Sequence, residues 1–497
     1  MALFSCKRHV RVKPKWPDSV TSITIPVGFI SARFSQPTPI ISIGAGRPDI
    51  GAYEYQSFSG QKYYVSQTYG NNAYDGKAPY YDGAHGPWQT LQYAAAHYTA
   101  GSYPIAVYIR SGTYQEQSTW GYLNHGTAAN PVVITNYPGE SPIIDGNNYT
   151  IGGGGSGMFH IYGQYHTVRN FEIRRGGNLA VILVGDYASA DNIYAHHNYG
   201  GGIGGFADYN VIENCTAYYN AVSNEYGVAG SWGWGISLCR HGDFGNTGHG
   251  TVRNCLSLGN WGEGISTFES YYNTIEDNII CNNYTVNLYL SDTQYATAQR
   301  NLSYYTPGNQ SQQYCTSQNC IGLGDEGHTP QSSDNIVRNN ITWGGDRSIY
   351  VGTTNWNGTL VAFNTFTQVF DRIVESANLM CYGGAATGGR FCNNVIWQDD
   401  TDVQLARSVT SGVTFDHNNW HRTPPVGFGG TGDIIGAPLL AKSGSTVPRA
   451  LTYAYFEPTA SSPFLAGGTP VTGIDDDNQG RDRNDSTPDI GALEYQG

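Results

Sequence analysis

One short pattern recurs along this chain at nearly constant spacing: an apolar residue, any residue, a polar residue, then Asn or Cys and a second apolar pair. It reads NVIENCTAYYN at 210–220, TVRNCLSLGN at 251–260, NTIEDNIICNN at 273–283 and NIVRNNITW at 335–343. Aligned on the Asn or Cys, the column holds Phe171, Ile193, Cys215, Cys255, Asn278, Asn301, Asn340, Asn364, Asn394 and Asn418. The successive intervals are 22, 22, 40, 23, 23, 39, 24, 30 and 24 residues. One structural unit per interval, with two insertions of about 16 residues, accounts for the whole series. Within each unit apolar residues alternate with period 2, which is the periodicity of strands. The composition agrees: 65 Gly and 38 Tyr against 3 Met favour strands and tight turns over helices.

From Asn278 to Asn394 the column is Asn in five successive units. Side chains stacked about 4.8 Å apart on parallel strands can bond amide to amide. An asparagine ladder therefore assigns the N-x-S/T matches at Asn301 and Asn340 to the interior rather than to glycans. Cys215 and Cys255 share this column and read as stacked thiols. A second column begins a strand on another face: Gly235-Ile236, Gly264-Ile265, Asn287-Leu288, Cys320-Ile321 and Ser348-Ile349. These columns predict an all-β, right-handed parallel β-helix with three sheets and about 11–12 coils.

This pattern resembles the right-handed β-helix superfamily of pectate lyases, chondroitinase B-like lyases and several glycoside hydrolase families. The opening segment, YYVSQTYGNNAYDGKAPYYDGAHGPWQTLQYAAAH followed by PIAVYIRSGTYQEQ and PVVITNYPGESPIIDG, is similar to theirs, with a short capping helix expected near residues 88–97. DSTPDIGALEYQ at 485–496 echoes GRPDIGAYEYQ at 46–56, and the C-terminal stretch resembles bacterial surface β-helix proteins of undefined anchor. The expected organisation is a tail at 1–56 like the end of a preceding unit, an opening and capping segment at 57–130, the β-helix at 131–461 and a closing segment at 462–497. Head-to-tail assembly or tandem units would follow from the repeated motif. The acidic run at 475–485 reads as a solvated turn.

A net charge of -13 disfavours nucleic acid, whose phosphates want a basic face. No apolar run of about 18 residues offers a membrane span. The basic stretch at 1–16 lacks the apolar segment of a secretory signal. Cys315–Cys320 and Cys381–Cys392 each bracket a short loop and are expected as disulfides, which would suit a secreted or cell-surface life.

In the superfamily the substrate lies along the sheet that follows the long turn, here the Gly-Ile column. Both insertions flank that column, at 220–233 and 239–250 and again at 306–319 and 324–334, and would wall a groove. Four residues past the column fall Arg240, Glu269, Asp292 and Asp325, an acidic stack on expected exposed turns. With Glu263 these carboxylates are the candidate catalytic groups, at coil separations near those of glycoside hydrolysis. Trp232, Trp234, Arg240, His241, Tyr289, Arg347 and Tyr350 are candidate substrate contacts. No cofactor is required, although Glu269, Asp292 and Asp325 could hold Ca²⁺. All six lysines, Lys7, Lys13, Lys15, Lys62, Lys77 and Lys442, lie outside the coils, which disfavours lysine-based lyases. The expected function is hydrolysis of a neutral or weakly charged polysaccharide. The alternatives are a lyase with Arg240, Arg347, Tyr289 or His241 as base, or a non-catalytic glycan-binding or assembly module.

Overall fold

The computed structural model describes residues 58–153, 157–227, 232–239, 247–309, 312–444, 446, 451–483 and 486–497. The repeats fold as three columns of parallel strands, so each coil contributes one strand to each face. Two columns share continuous strands at His166–Arg174 and Ser189–His196 and merge into one sheet of 24 strands. The third forms a sheet of 12, from Ser118–Trp120 at one end to Gln404–Arg407 at the other. Among the described residues pairing begins with Gln61–Val65 against Ile105–Ile109, so the opening segment already joins the solenoid and Lys62, expected outside the coils, lies on its first strand.

The core follows from the period-2 pattern, which sends alternate side chains inward. In the 12-stranded sheet Val181, Ile203, Ile236, Ile265, Leu288, Ile321, Ile349 and Leu379 fall in register on successive coils, every one fully buried. The helix Leu91–His97, capped by the Thr90 hydroxyl, buries Leu91, Ala94 and Ala95 against Trp88, Tyr98 and Trp120. The Glu116 carboxylate accepts the Leu91 and Gln92 amides at 3.0 and 3.1 Å, where the helix leaves N–H groups unpaired.

The asparagine ladder is present. Nδ2 of Asn278, Asn301, Asn340, Asn364 and Asn394 donates to the Oδ1 of the next rung at 2.9–3.1 Å, ending on Asn418. Each backbone amide bonds the same Oδ1, and each Nδ2 also donates to a carbonyl of the preceding coil, as from Asn301 to Ile275. The residue before each rung is left-handed, as at Asn254, Asp277, Asn339 and Asn393, with φ of 54–58°. That conformation suits Asn and Asp, which explains the Asn-Asn pairs. Asn301→Ala would strand the Asn278 donors and the Ile275 carbonyl in a dry interior, at a cost of about 1–3 kcal/mol. Urea denaturation reads this directly, and an unchanged midpoint would reject the ladder as a stabilising element.

A second ladder, not foreseen, links Asn198, Asn220, Asn260, Asn283 and Asn287 at 2.8–3.1 Å. Outside the core, Tyr165, Tyr187, Tyr209, His249, Tyr272 and Tyr295 stack face to face, with centroids 4.7–4.9 Å apart and planes within 11°.

The disulfide expectation is corrected. The eight described cysteines are buried free thiols. Cys381 and Cys392 lie on strands of different sheets, Ala377–Cys381 and Ala385–Cys392. The Cys315 and Cys320 sulfurs are directed to separate carbonyls, of Ser317 and of Trp343 and Gly344.

The closing segment folds back along the 24-stranded sheet. Asp476 bridges Arg300 and Arg338 at 3.0 and 2.5 Å, and Asn478 bonds the Asn339 carbonyl at 2.7 Å. Farther on, Gly491 and Ala492 bond Asn393 and Thr365. Asp477 is fully buried and ion-paired to Arg481, so this part of the acidic run is an anchor rather than a solvated turn. The related motif at 46–56 lies outside the described residues, as does the whole tail assigned to 1–56.

Candidate active site

Strand register decides which side chains share a face. Two residues before the buried Ile/Leu column stand Trp234, Glu263, Val286, Asn319 and Arg347, paired coil to coil. One residue after it stand Ser266, Tyr289, Gly322 and Tyr350. From these rows Glu263, Val286, Asn319, Arg347, Tyr289 and Tyr350 line a groove of about 470 Å³, together with Asp325 and Glu326 and with Trp232 and Tyr382 from the flanking turns. Two glycines make room for the tyrosines. A Cβ on Gly322 would lie 2.4 Å from the Tyr350 ring, and one on Gly324 would lie 2.8 Å from the Tyr289 hydroxyl. The rings sit 6.3 Å apart, and Tyr382 meets Tyr350 edge-on at 6.0 Å.

Glu263 is the electrostatically unusual member. The residue is only 8% exposed, and burial pushes its pKa up to about 7, with the charge of Glu326 adding to the rise. Hydrogen bonds with the Ser266 and Trp232 side chains offset part of the effect. Burial also raises Tyr289 and Tyr350, so both phenols keep their protons. Arg347 donates to Asn319 Oδ1 at 3.1 Å and to Glu375 at 2.7 Å, while its Nε lacks a partner.

The predicted residues divide accordingly. Glu263, Asp325, Trp232, Tyr289, Arg347 and Tyr350 all line the groove. Asp325 is held there by Ser332 N, Thr354 Oγ1 and Asn355 Nδ2 at 2.7–3.0 Å. Trp234 packs instead against Phe206 at 6.5 Å. Arg240 and His241 lie outside the described residues. Glu269 and Asp292 do stack, both left-handed with φ of 48° and 47°, but they are not groove-lining and not exposed turns. Glu269 pairs with His328 at 2.8 Å. Asp292 is fully buried and accepts bonds from Ser291 Oγ and from the Glu326 and His328 amides. It holds the loop that carries Glu326.

Around the expected calcium ligands, the Asp292 carboxylate accepts from Ser291 Oγ and the Glu326 and His328 amides, and among the described residues no group of three or more His, Cys, Asp or Glu is arranged to hold a metal ion. Glu326, Asn319 and Tyr382 were not predicted as site residues. Asn319 was reachable, because it heads the strand whose column residue had been identified.

Comparison with known proteins locates the fold. The family described as "Pel9A-like, right handed beta helix region" matches residues 64–344, more than half of the chain. Pectate lyase PEL9 of Emericella nidulans is 45% identical over 60 residues, which is 12% of this chain and 14% of that relative's length. Among solved structures, pectate lyase Pel9A superposes with a TM-score of 0.53 at 18% identity, covering 88% of this chain and 98% of that one. XylC in complex with xylose gives 0.56 at 12% identity, with the same coverage of both chains.

Proposed function

The chain belongs to the Pel9A-like right-handed β-helix family, and from that premise we propose that its groove cleaves the glycosidic bonds of a polysaccharide, with Glu263 as proton donor. The observation that carries this reading is the buried Glu263 carboxyl with its pKa raised to about 7. At neutral pH it keeps a proton that an ordinary glutamate has lost, as a general acid must. It can pass that proton to the bridging oxygen of a bond laid along the groove. Glu326, whose charge acts on Glu263, is the second carboxylate, placed to activate water or to meet the positive charge developing at the sugar carbon. Tyr289 and Tyr350 offer ring faces to the sugar, and Arg347 and Asn319 offer polar contacts. A polymer of this kind is met outside the cell, so the working protein is secreted or held at the surface. Among the described residues no helix is long and apolar enough to cross a membrane.

Elimination from a uronate is the second reading, favoured by the pectate lyases among the relatives. It needs a cationic setting for the substrate carboxylate and a base beside it. Among the described lining residues the cation is Arg347, which already faces Glu375, whereas Glu263, Asp325 and Glu326 are acids. Hydrolysis is therefore the first reading. Incubation with xylan, arabinan, galactan and β-glucan, and with polygalacturonate and alginate, separates the two. Hydrolysis produces reducing ends without ultraviolet absorbance; elimination produces both. No new ends from any polymer would end the enzymatic reading in favour of a glycan-binding module.

A further inference from the structure

Beyond the groove, four aromatic rings continue from Trp232 in unbroken contact. Trp232 meets Tyr284 at 5.8 Å, Tyr284 meets Trp261 at 6.0 Å, and Tyr226 and Tyr314 meet Trp261 at 5.4 and 5.9 Å and each other at 5.4 Å. The inner rings are fixed. Trp261 and Tyr284 are buried with Ala221 and Cys315, and Asn224 Nδ2 bonds the Trp261 carbonyl at 2.7 Å. The outer rings are open: Trp232, Tyr226 and Tyr314 are 55%, 48% and 37% exposed. All of them belong to the two insertions or to the turns they cover.

Ring orientation distinguishes this array from the tyrosine column on the solenoid's turns. In the column the planes lie within 11°, so each face is consumed by its neighbour. In the array the planes meet at 46–86°, so the exposed rings of Trp232, Tyr226 and Tyr314 are not stacked face to face on their neighbours. Open aromatic faces on a rigid base match the C–H faces of pyranose or furanose rings.

We propose that this array is an extension subsite, binding successive neutral sugar rings of the same chain whose bond lies beside Glu263, so that the protein grips a polymer rather than a short oligosaccharide. The proposal rests on the polysaccharide reading of the groove. Its occupant follows from continuity, because Trp232 belongs both to the groove lining and to the array. Tyr hydroxyls and the nearby Glu225, which accepts from Tyr219 Oη at 2.9 Å, give the patch the mixed polar and apolar character of a sugar surface.

Affinity electrophoresis of the full chain through gels containing xylan, arabinan, galactan or β-glucan tests the array without requiring turnover. Tyr226→Ala and Tyr314→Ala should each weaken retardation by about tenfold in apparent Kd, and Tyr226→Phe, which keeps the ring, should bind as the parent does. On a cleaved polymer the same alanine variants should raise KM about tenfold with kcat within about twofold, and raise KM less on a trisaccharide of the same linkage. Unchanged retardation in both alanine variants, or no binding of any neutral polymer, overturns the proposal. So does loss of self-association in Tyr226→Ala by sedimentation, which would assign the patch to a second copy of the chain. Normal turnover in Glu263→Gln with weakened polymer binding in Tyr226→Ala would overturn the groove chemistry and leave the array standing.

Discussion

Glu263→Gln should lower turnover by about 10²–10⁴-fold, the usual contribution of a positioned general acid. The amide matches the carboxyl in shape but has no proton to give at any pH. In the parent protein kcat/KM should fall as pH rises through about 7, where Glu263 loses its proton. The same substitution should also stabilise the protein under alkaline conditions. The folded pKa lies above the ordinary value of 4.5. Below about 4.5 both states hold the proton and Glu263 contributes nothing to the pH dependence. As pH rises from there to about 7 the unfolded chain releases a proton that the folded state retains, and stability declines by about 3 kcal/mol. Gln carries no such penalty, so the variant should melt above the parent near pH 8 and level with it near pH 4. Glu269→Gln, away from the groove, should leave both profiles in place. Full turnover in Glu263→Gln at neutral pH would eliminate this carboxyl as the acid.

The second large effect lies at the other end of the molecule. Arg483 is buried, and it donates to the carbonyls of Asp489, Gly491 and Asp476 and to Glu494. Its guanidinium therefore clamps Asp476 to the stretch 489–494 of the closing segment. Desolvation works against its charge while Glu494, Asp477 and Asp489 support it. Arg483→Ala leaves Glu494 without its ion-pair partner in a dry setting, which typically costs about 3–5 kcal/mol. We expect a lower urea midpoint and early proteolysis within the closing segment. Arg483→Met with Glu494→Gln should recover part of the loss, because it removes one stranded charge along with the cation. Equal stability of Arg483→Ala and the parent would show that the segment is held by its apolar contacts alone.

The solenoid was legible because its physics repeats. A rung that must bond the rungs above and below admits few residue types, so Asn278 to Asn394 stand out at 23–39 residue intervals. The second ladder uses the same chemistry but was hidden by its spacing. Asn198, Asn260 and Asn283 precede their column residues by 5, whereas Asn220 precedes Ile236 by 16 because an insertion intervenes. The groove was legible in place but not in register. Counting four residues beyond the column found Asp325, which lines the groove, but also Glu269 and Asp292, whose carboxylates pair with His328 and anchor the loop that carries Glu326. The groove row, two residues before the column, holds a carboxylate, an aliphatic, an amide and a guanidinium in turn. Chemistry that requires a different group on each coil erases the periodicity by which a repeat is recognised.

Each ladder rung bonds only its immediate neighbours, and this makes heredity unusually modular here. A deletion of 24 residues from 340 to 363 would place Asn364 where Asn340 had been, still facing Asn301. A deletion of one residue would turn a strand's core side outward. A lineage carrying this scaffold can therefore gain or lose whole coils, or lengthen loop tips such as those bearing Tyr226 and Tyr314. Each added coil extends the groove sheet by about 4.8 Å. Length of ligand and identity of chemistry are thereby inherited on separate parts of the chain.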